Sequence, residues 1–166
     1  MVKDFLTRRD EAVEAMKGFL KSPLHRRAVF LLLGKSRTGK TLALKKLGRE
    51  LGREVVNANL YLARYVKEKR APKWMWEDLI EEGWRELFLS LREGEFILID
   101  NVEIFYDFPK ISFLRIAEEE CLMQKGKKAI IGVTGFVLGD KIYFCDDKQF
   151  LAQASYWRGR LYDMNP

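Results

Sequence analysis

The chain has 166 residues and is 48% hydrophobic, enough for one domain with a real core. It holds no run of the ~18 apolar residues that a membrane span needs, and its N-terminus mixes Lys3, Asp4, Arg8, Arg9, Asp10 and Glu11 with apolar residues, unlike a signal peptide. The 30 Lys and Arg against 24 acids give +6, an excess that either favours anionic partners mildly or simply keeps the surface soluble.

Residues 3–21 carry Phe5, Leu6, Ala12, Val13, Met16, Phe19 and Leu20 at helical spacing, with charges opposite. Ser22-Pro23 ends that helix. His25, Arg26 and Arg27 follow as a basic knot, read as a solvated loop, with contact to an adenine or a partner as the alternative.

An apolar run, Ala28 to Leu33, then stops at Gly34. Gly34-Lys35-Ser36-Arg37-Thr38-Gly39-Lys40-Thr41 fits G-x-x-x-x-G-K-S/T, and a helical pattern from Leu42 to Leu51 follows. Strand, glycine-flanked loop and helix are the context that gives this motif (Walker A) its meaning. Backbone N–H groups of such a loop, backed by a helix N-terminus, cradle phosphate oxygens. Lys40 would reach the β- and γ-phosphates and Thr41 would hold Mg²⁺. The phosphate-binding set is therefore Gly34, Lys35, Ser36, Arg37, Thr38, Gly39, Lys40, Thr41 and Leu42.

Gly52 is a plausible helix C-cap, and Glu54 to Ala58 a short strand. Leu60 to Lys69 reads as a helix, basic on one face through Arg64, Lys67 and Lys69, with Arg70 just beyond, and Ala71-Pro72 breaks it. Trp74 to Leu91 reads as a second helix. Trp74, Trp76 and Trp84 read as core, the alternative being nucleobase stacking beside Lys73 and Arg85.

Phe96-Ile97-Leu98-Ile99-Asp100 is a buried strand that presents a carboxylate at its C-terminal edge, the Walker B pattern. Asp100 would join Thr41 in the Mg²⁺ shell. Many P-loop ATPases place a Glu next, to activate the attacking water. Here Asn101 stands there; it can orient a water but cannot take its proton. Glu103 shares a face with Asn101 in an extended chain and is the candidate base. The sequence therefore supports nucleotide binding better than rapid hydrolysis.

Phe105 to Pro109 reads as an aromatic loop and Ile111 to Met123 as a helix. Ala129 to Thr134 is another buried strand, ending in a hydroxyl; Thr134 is the candidate residue facing the γ-phosphate. Residues Gly135 to Asp140 read as a turn, Lys141 to Cys145 as a final strand, and Lys148 to Tyr156 as a helix capped by Asp146-Asp147. Arg158 or Arg160 would act on a neighbouring subunit's nucleotide, sense the γ-phosphate in cis, or belong to a basic tail. Two distant cysteines, Cys121 and Cys145, and a single His25 give no metal spacing and suit a reduced, cytoplasmic setting. A charged fraction of 33%, rich in Lys and Glu, leans toward a thermophilic source.

The expected architecture is one α/β domain over 1–166: a mostly parallel five-stranded sheet flanked by helices, of the additional-strand (AAA/RecA-like) P-loop type. Residues 1–23 form a helix packed on it and 157–166 a tail. From about Val29 to about Phe150 the chain resembles the BrxF family, small single-domain P-loop proteins of BREX type 3 phage-resistance systems. The likeness is carried by the compact P-loop domain, by Asp100-Asn101-Val102-Glu103-Ile104-Phe105 with Asp107 soon after, and by the late strand, Gly turn and short aromatic strand from Ile130 to Phe144. The chain departs from it in Val133-Thr134 before Gly135, where Trp or Asn is expected. The resemblance implies an ATP-binding component of a multi-protein antiviral assembly that deals with DNA.

Three functions compete: a partner-dependent ATPase or nucleotide switch, a small-molecule kinase, and a non-hydrolysing nucleotide-binding module. A kinase needs an Arg-rich lid, and the only basic helix in a suitable place is Arg64 to Arg70. The intact Lys40, Thr41 and Asp100 argue against a relic. No guanine-reading Asn-Lys-x-Asp occurs, so ATP is the expected nucleotide.

Overall fold

The computed structural model describes residues 4–22, 27–123, 126–145 and 149–166. Five α-helices and seven strands alternate in the order α1 (Phe5–Lys21), β1 (Val29–Gly34), α2 (Lys40–Leu51), β2 (Val55–Asn57), α3 (Ala58–Lys69), α4 (Trp76–Leu89), β3 (Phe96–Asp100), α5 (Phe113–Met123), β4 (Lys128–Leu138), β5 (Lys141–Phe144), β6 (Gln149–Gln153) and β7 (Leu161–Asp163). Short 3₁₀ turns occupy Lys73–Met75, Glu103–Asp107 and Ala154–Trp157.

The main sheet runs β2-β3-β4-β1-β7, and every pairing in that row is parallel. β4 thus lies between β1 and β3. The chain moves outward from β1 to β2 and then back through β3 to β4, so its crossovers reverse direction. Right-handed crossovers then require α2 on one face and α3 to α5 on the other. The burial pattern agrees. Phe30, Leu32, Leu98 and Ile130 pack with α1 and α2, while Val29, Leu31, Leu33, Ile99 and Ile131 pack with α3, α4 and α5. All six residues of β1 are buried, and burying each of its large side chains contributes about 1.5–3 kcal/mol.

The sheet has seven strands, not five. β4 continues past Thr134 to Leu138, so the turn expected over Gly135 to Asp140 is confined to Gly139 and Asp140. Its outer half pairs with β5 antiparallel, and β5 with β6. Residues 149–153 are strand β6 and not helix, because β5 offers them a partner; Asp146, Asp147 and Lys148 lie outside the described residues. Nor is 157–166 a loose tail. β7 pairs with β1, and Trp157 and Met164 are buried.

α1 is fastened to α2. Lys17 pairs with Glu50 at 2.5 Å and Lys46 with Asp10 at 2.7 Å. Asp4 caps its start by accepting from Thr7 N–H at 2.7 Å. At its far end Lys128 Nζ donates to the carbonyls of Phe19 (2.7 Å) and Ser22 (2.6 Å), satisfying acceptors that a helix C-terminus leaves open. Pro23, His25 and Arg26 lie outside the described residues. Arg27 packs its guanidinium 4.1 Å from the Tyr156 ring centroid, which is a structural use of that basic residue.

Trp84 is fully buried, meets Phe88 and Phe105 edge-on, and donates Nε1–H to the Phe113 carbonyl at 2.9 Å. The core reading therefore holds for Trp84. It fails for Trp74, which is 80% exposed, and partly for Trp76. No described helix is long and apolar enough to cross a membrane.

Candidate functional site at the carboxyl edge of the sheet

Strand register builds the site. Gly34 at the end of β1 is level with Thr134 on β4, and Asn57 at the end of β2 is level with Asp100 at the end of β3. Four polar or turn-forming positions therefore lie along one edge, at the carboxyl ends where open α/β sheets take their ligands.

The Lys35 to Gly39 loop leaves β1 and re-enters at α2. Arg37 and Gly39 both hold positive φ, 66° and 96°. Gly39 is required twice over: by its φ, and because a Cβ there would stand 2.6 Å from the Phe5 ring of α1. Gly39 is also the N-cap of α2, with no side-chain hydrogen bond to it and no acidic residue in the first turn. That helix end keeps its positive character for an anion. Lys40 is buried and donates Nζ–H to the carbonyls of Gly34 (2.7 Å) and Lys35 (3.1 Å). Thr38 Oγ1 donates to the Lys35 carbonyl at 2.7 Å. Lys35, Ser36, Arg37, Thr41 and Leu42 are exposed.

Thr41 Oγ1 donates to Asp100 Oδ2 at 2.5 Å, joining the two halves predicted from sequence. Asp100 is buried. Its other oxygen lies against Gly132 on β4, where a Cβ would come within 2.9 Å of Oδ1.

Beside this pair, Glu103 is held at both oxygens. Thr134 Oγ1 donates to Oε1 at 2.7 Å and Asn59 Nδ2 donates to Oε2 at 3.1 Å. Asn59 in turn accepts from Ile104 N–H at 2.9 Å, and its own N–H donates to the Asn101 carbonyl at 2.9 Å. Glu103 and Thr134 are thus brought together, but not by the extended chain expected after Asp100. Asn101 turns left-handed at φ 57° and Glu103–Asp107 coil as a 3₁₀ turn. Buried Val102 and Phe105 pin that turn; the Phe105 ring stacks on Phe113 with centroids 4.5 Å apart.

Sequence reasoning missed three contributors. Asn59 follows a strand end in Asn57-Ala58-Asn59, where Asn reads only as a capping residue; Asn57 is the one that caps α3. Gly132 sits mid-strand with no local signal. Asn165 gives none either: its side chain accepts from Lys35 N–H at 2.8 Å and donates to the Gly135 carbonyl at 3.1 Å, tying the chain's last residues to the P-loop.

Arg160 does not belong to the site. It is buried, bonded to Glu118 (2.5 Å), to the Val29 carbonyl (3.0 Å) and to the Tyr156 carbonyl (2.9 Å), and Val29 lies at the opposite end of β1 from the P-loop. A buried guanidinium with these partners is a structural tie, which corrects the expectation that it serves a neighbouring subunit's nucleotide. Arg158 is exposed. Neither cysteine forms a disulfide; Cys121 is buried and Cys145 half-buried. No described group of three or more His, Cys, Asp or Glu side chains is placed to hold a metal by itself. No protein-family model matches the chain, and no curated protein matches it.

Proposed function

We propose that the protein binds ATP at the P-loop and works as a slow, partner-dependent ATPase or nucleotide switch. The observation that carries this reading is the Thr41–Asp100 hydrogen bond at 2.5 Å, beside a buried Lys40 at an uncapped helix start. Placement of β4 between β1 and β3 supports the additional-strand type of P-loop fold. Lys40, with its three donors, would exchange the loop carbonyls for the β- and γ-phosphate oxygens. One hydroxyl and one carboxylate suit Mg²⁺, which takes few protein ligands and completes its octahedron with phosphate and water. Thr41 and Asp100 would hold it, and it would neutralise charge between the phosphates.

In hydrolysis a water oxygen bonds to the γ-phosphorus and the bond to the β–γ bridging oxygen breaks, giving ADP and phosphate. The water's proton passes to the Glu103 carboxylate. Both Glu103 oxygens accept hydrogen bonds from Thr134 and Asn59, so the base is restrained, and Asn101 has no capacity to replace it. This favours slow intrinsic turnover and release by a partner. The BrxF resemblance adds a DNA-related antiviral assembly of several proteins as the setting.

The test is ATP turnover across protein concentrations, beside a Glu103→Gln variant and a screen for phosphoryl transfer to nucleosides and nucleotides. Slow turnover that Glu103→Gln abolishes supports the reading. Turnover rising steeply with concentration would add a neighbouring copy to the site, with Arg158 as its cation. Transfer to a nucleoside in place of water would make the protein a kinase.

A further inference from the structure

A second surface carries the charge that the P-loop does not use. From Ala58 to Trp76 the chain holds five cations, Arg64, Lys67, Lys69, Arg70 and Lys73, against one acid, Glu68. The net charge of this stretch is +4.

Its geometry is a track. A groove of 770 Å³ lies between α3, the Lys73–Met75 turn, the start of α4 and the Glu103–Asp107 turn. Its floor is apolar, with Val66, Ile80, Ile104 and Phe108 among its residues, and Lys67, Arg70 and Lys73 stand in its wall against one acid, Asp107. A shallower depression lined by Arg64, Lys67, Glu68 and Arg70 continues it along α3. That depression shares Arg64 and Glu68 with a third one, lined also by Tyr61 and Tyr65. Aromatic rings therefore lie at both ends of a row of cations.

Three details set this apart from an ordinary solvated face. Trp74 is 80% exposed on the Lys73–Met75 turn, and Trp76, which lines the groove, is 37% exposed. Lys73 Nζ lies 6.0 Å from the Trp76 ring centroid and Lys69 Nζ 5.0 Å from that of Tyr65, so cation and ring are presented together. Arg70 also holds a left-handed φ of 52° as the C-cap of α3, a position that glycine fills without strain. The chain keeps an arginine there.

We propose that this track binds single-stranded nucleic acid, with bases stacked on Trp74 and Trp76 and phosphates held by Arg64, Lys67, Arg70 and Lys73. Stacking on exposed rings needs unpaired bases, and the alternation of ring and cation matches a repeating base and phosphate. An acidic protein segment would use the cations but leaves the outward face of Trp74 without a purpose. The site is separate from the P-loop and does not rest on the nucleotide reading.

The test is fluorescence anisotropy with labelled oligothymidylate, oligouridylate and a duplex of the same length, without ATP, with polyglutamate as competitor. Single strands should bind more tightly than duplex. Trp74→Ala should weaken them about 5- to 150-fold, the range for losing one base stack. Arg70→Gly relieves the left-handed position, so the fold survives, and should lower the slope of log affinity against log salt by about 0.7. Lys40→Ala should leave single-strand binding unchanged. Equal affinity for the two oligonucleotides, or preference for either, supports the site. Absence of binding at low salt, duplex bound as tightly as single strand, indifference to Trp74→Ala, or displacement by polyglutamate at equal charge concentration would overturn it.

Discussion

Gly132→Ala tests whether the missing side chain at Gly132 on β4 sets the position of the Asp100 carboxylate. Gly132 pairs with Leu32 in the fully buried heart of the sheet. A Cβ there would lie 2.9 Å from Asp100 Oδ1 and 2.9 Å from Leu44 Cδ1, both inside ordinary contact distance. Neither neighbour moves freely: Leu44 is fully buried on α2, and Asp100 is a short side chain bonded at 2.5 Å to Thr41. Overpacking of one methyl costs about 1–3 kcal/mol. For a chain of this size that lowers Tm by about 2–12 °C, at about 2–4 °C per kcal/mol. Of the two, the carboxylate at the end of β3 yields more readily than a leucine packed between the sheet and α1. ATP affinity should then lose its Mg²⁺-dependent part while the Mg²⁺-independent part, carried by Lys40 and the loop, persists. Isothermal titration with and without Mg²⁺, beside a melting curve, reads both effects. An unchanged Mg²⁺ increment in a folded variant would refute the claim that Gly132 makes room for Asp100.

Asn59→Ala removes the bond to Glu103 and orphans Ile104 N–H, at a cost of about 1–3 kcal/mol in stability. Calorimetry checks that loss, and freeing Oε2 should raise basal ATP turnover severalfold; a fall would make Asn59 a positioning residue for the base. The α1–α2 ion pairs give a pH signature. The Lys46 bond holds Asp10 below its ordinary 3.8, the Lys17 bond holds Glu50 below 4.5, and the Glu50 bond holds Lys17 above 10.5. Their contribution is complete between those limits. It is lost as pH falls through the lowered carboxylate values or rises through the raised lysine value. The Tm difference between the protein and a Lys17→Met, Lys46→Met variant should therefore shrink at both extremes; a difference independent of pH would contradict it. Burial pushes the Cys121 thiol up to about 12, so it stays protonated at neutral pH. Iodoacetamide should label Cys145 alone in the folded protein, as read by mass spectrometry, and native labelling of Cys121 at the Cys145 rate would contradict the burial.

The parts legible in sequence are those specified locally. The P-loop needs glycines, a lysine and a hydroxyl at fixed spacing between a buried strand and a helix, and all are contiguous. Asp100 announces itself as the polar end of an apolar run. Gly52, left-handed at φ 69°, ends α2 as expected. What was not legible depends on partners distant in the chain. β6 and β7 are short and lack strong alternation; β5 and β1 make them strands. Periodicity alone therefore favoured a helix near residue 150 and a tail after 157. Arg160 looked like a free cation because Glu118 is 42 positions away. Glu103 and Thr134 were singled out separately, but their bond, and Asn59 as its third member, follow from the level of β2, β3 and β4 at the sheet edge. Trp74 and Trp84 belong to one apparent stripe, yet the 3₁₀ turn at Lys73–Met75 offsets Trp74 from the face that α4 buries.

The most direct test of the central claim is ATP binding by isothermal titration in Mg²⁺, for the protein and for Lys40→Ala. Lys40 Nζ donates to the Gly34 and Lys35 carbonyls at 2.7 and 3.1 Å, bonds that phosphate oxygens would replace. The account predicts Mg²⁺-dependent, one-to-one binding that falls at least about 100-fold in the folded Lys40→Ala variant, the equivalent of about 2.7 kcal/mol of charge-assisted contact. Binding of equal strength in both proteins, or none in either, would contradict it.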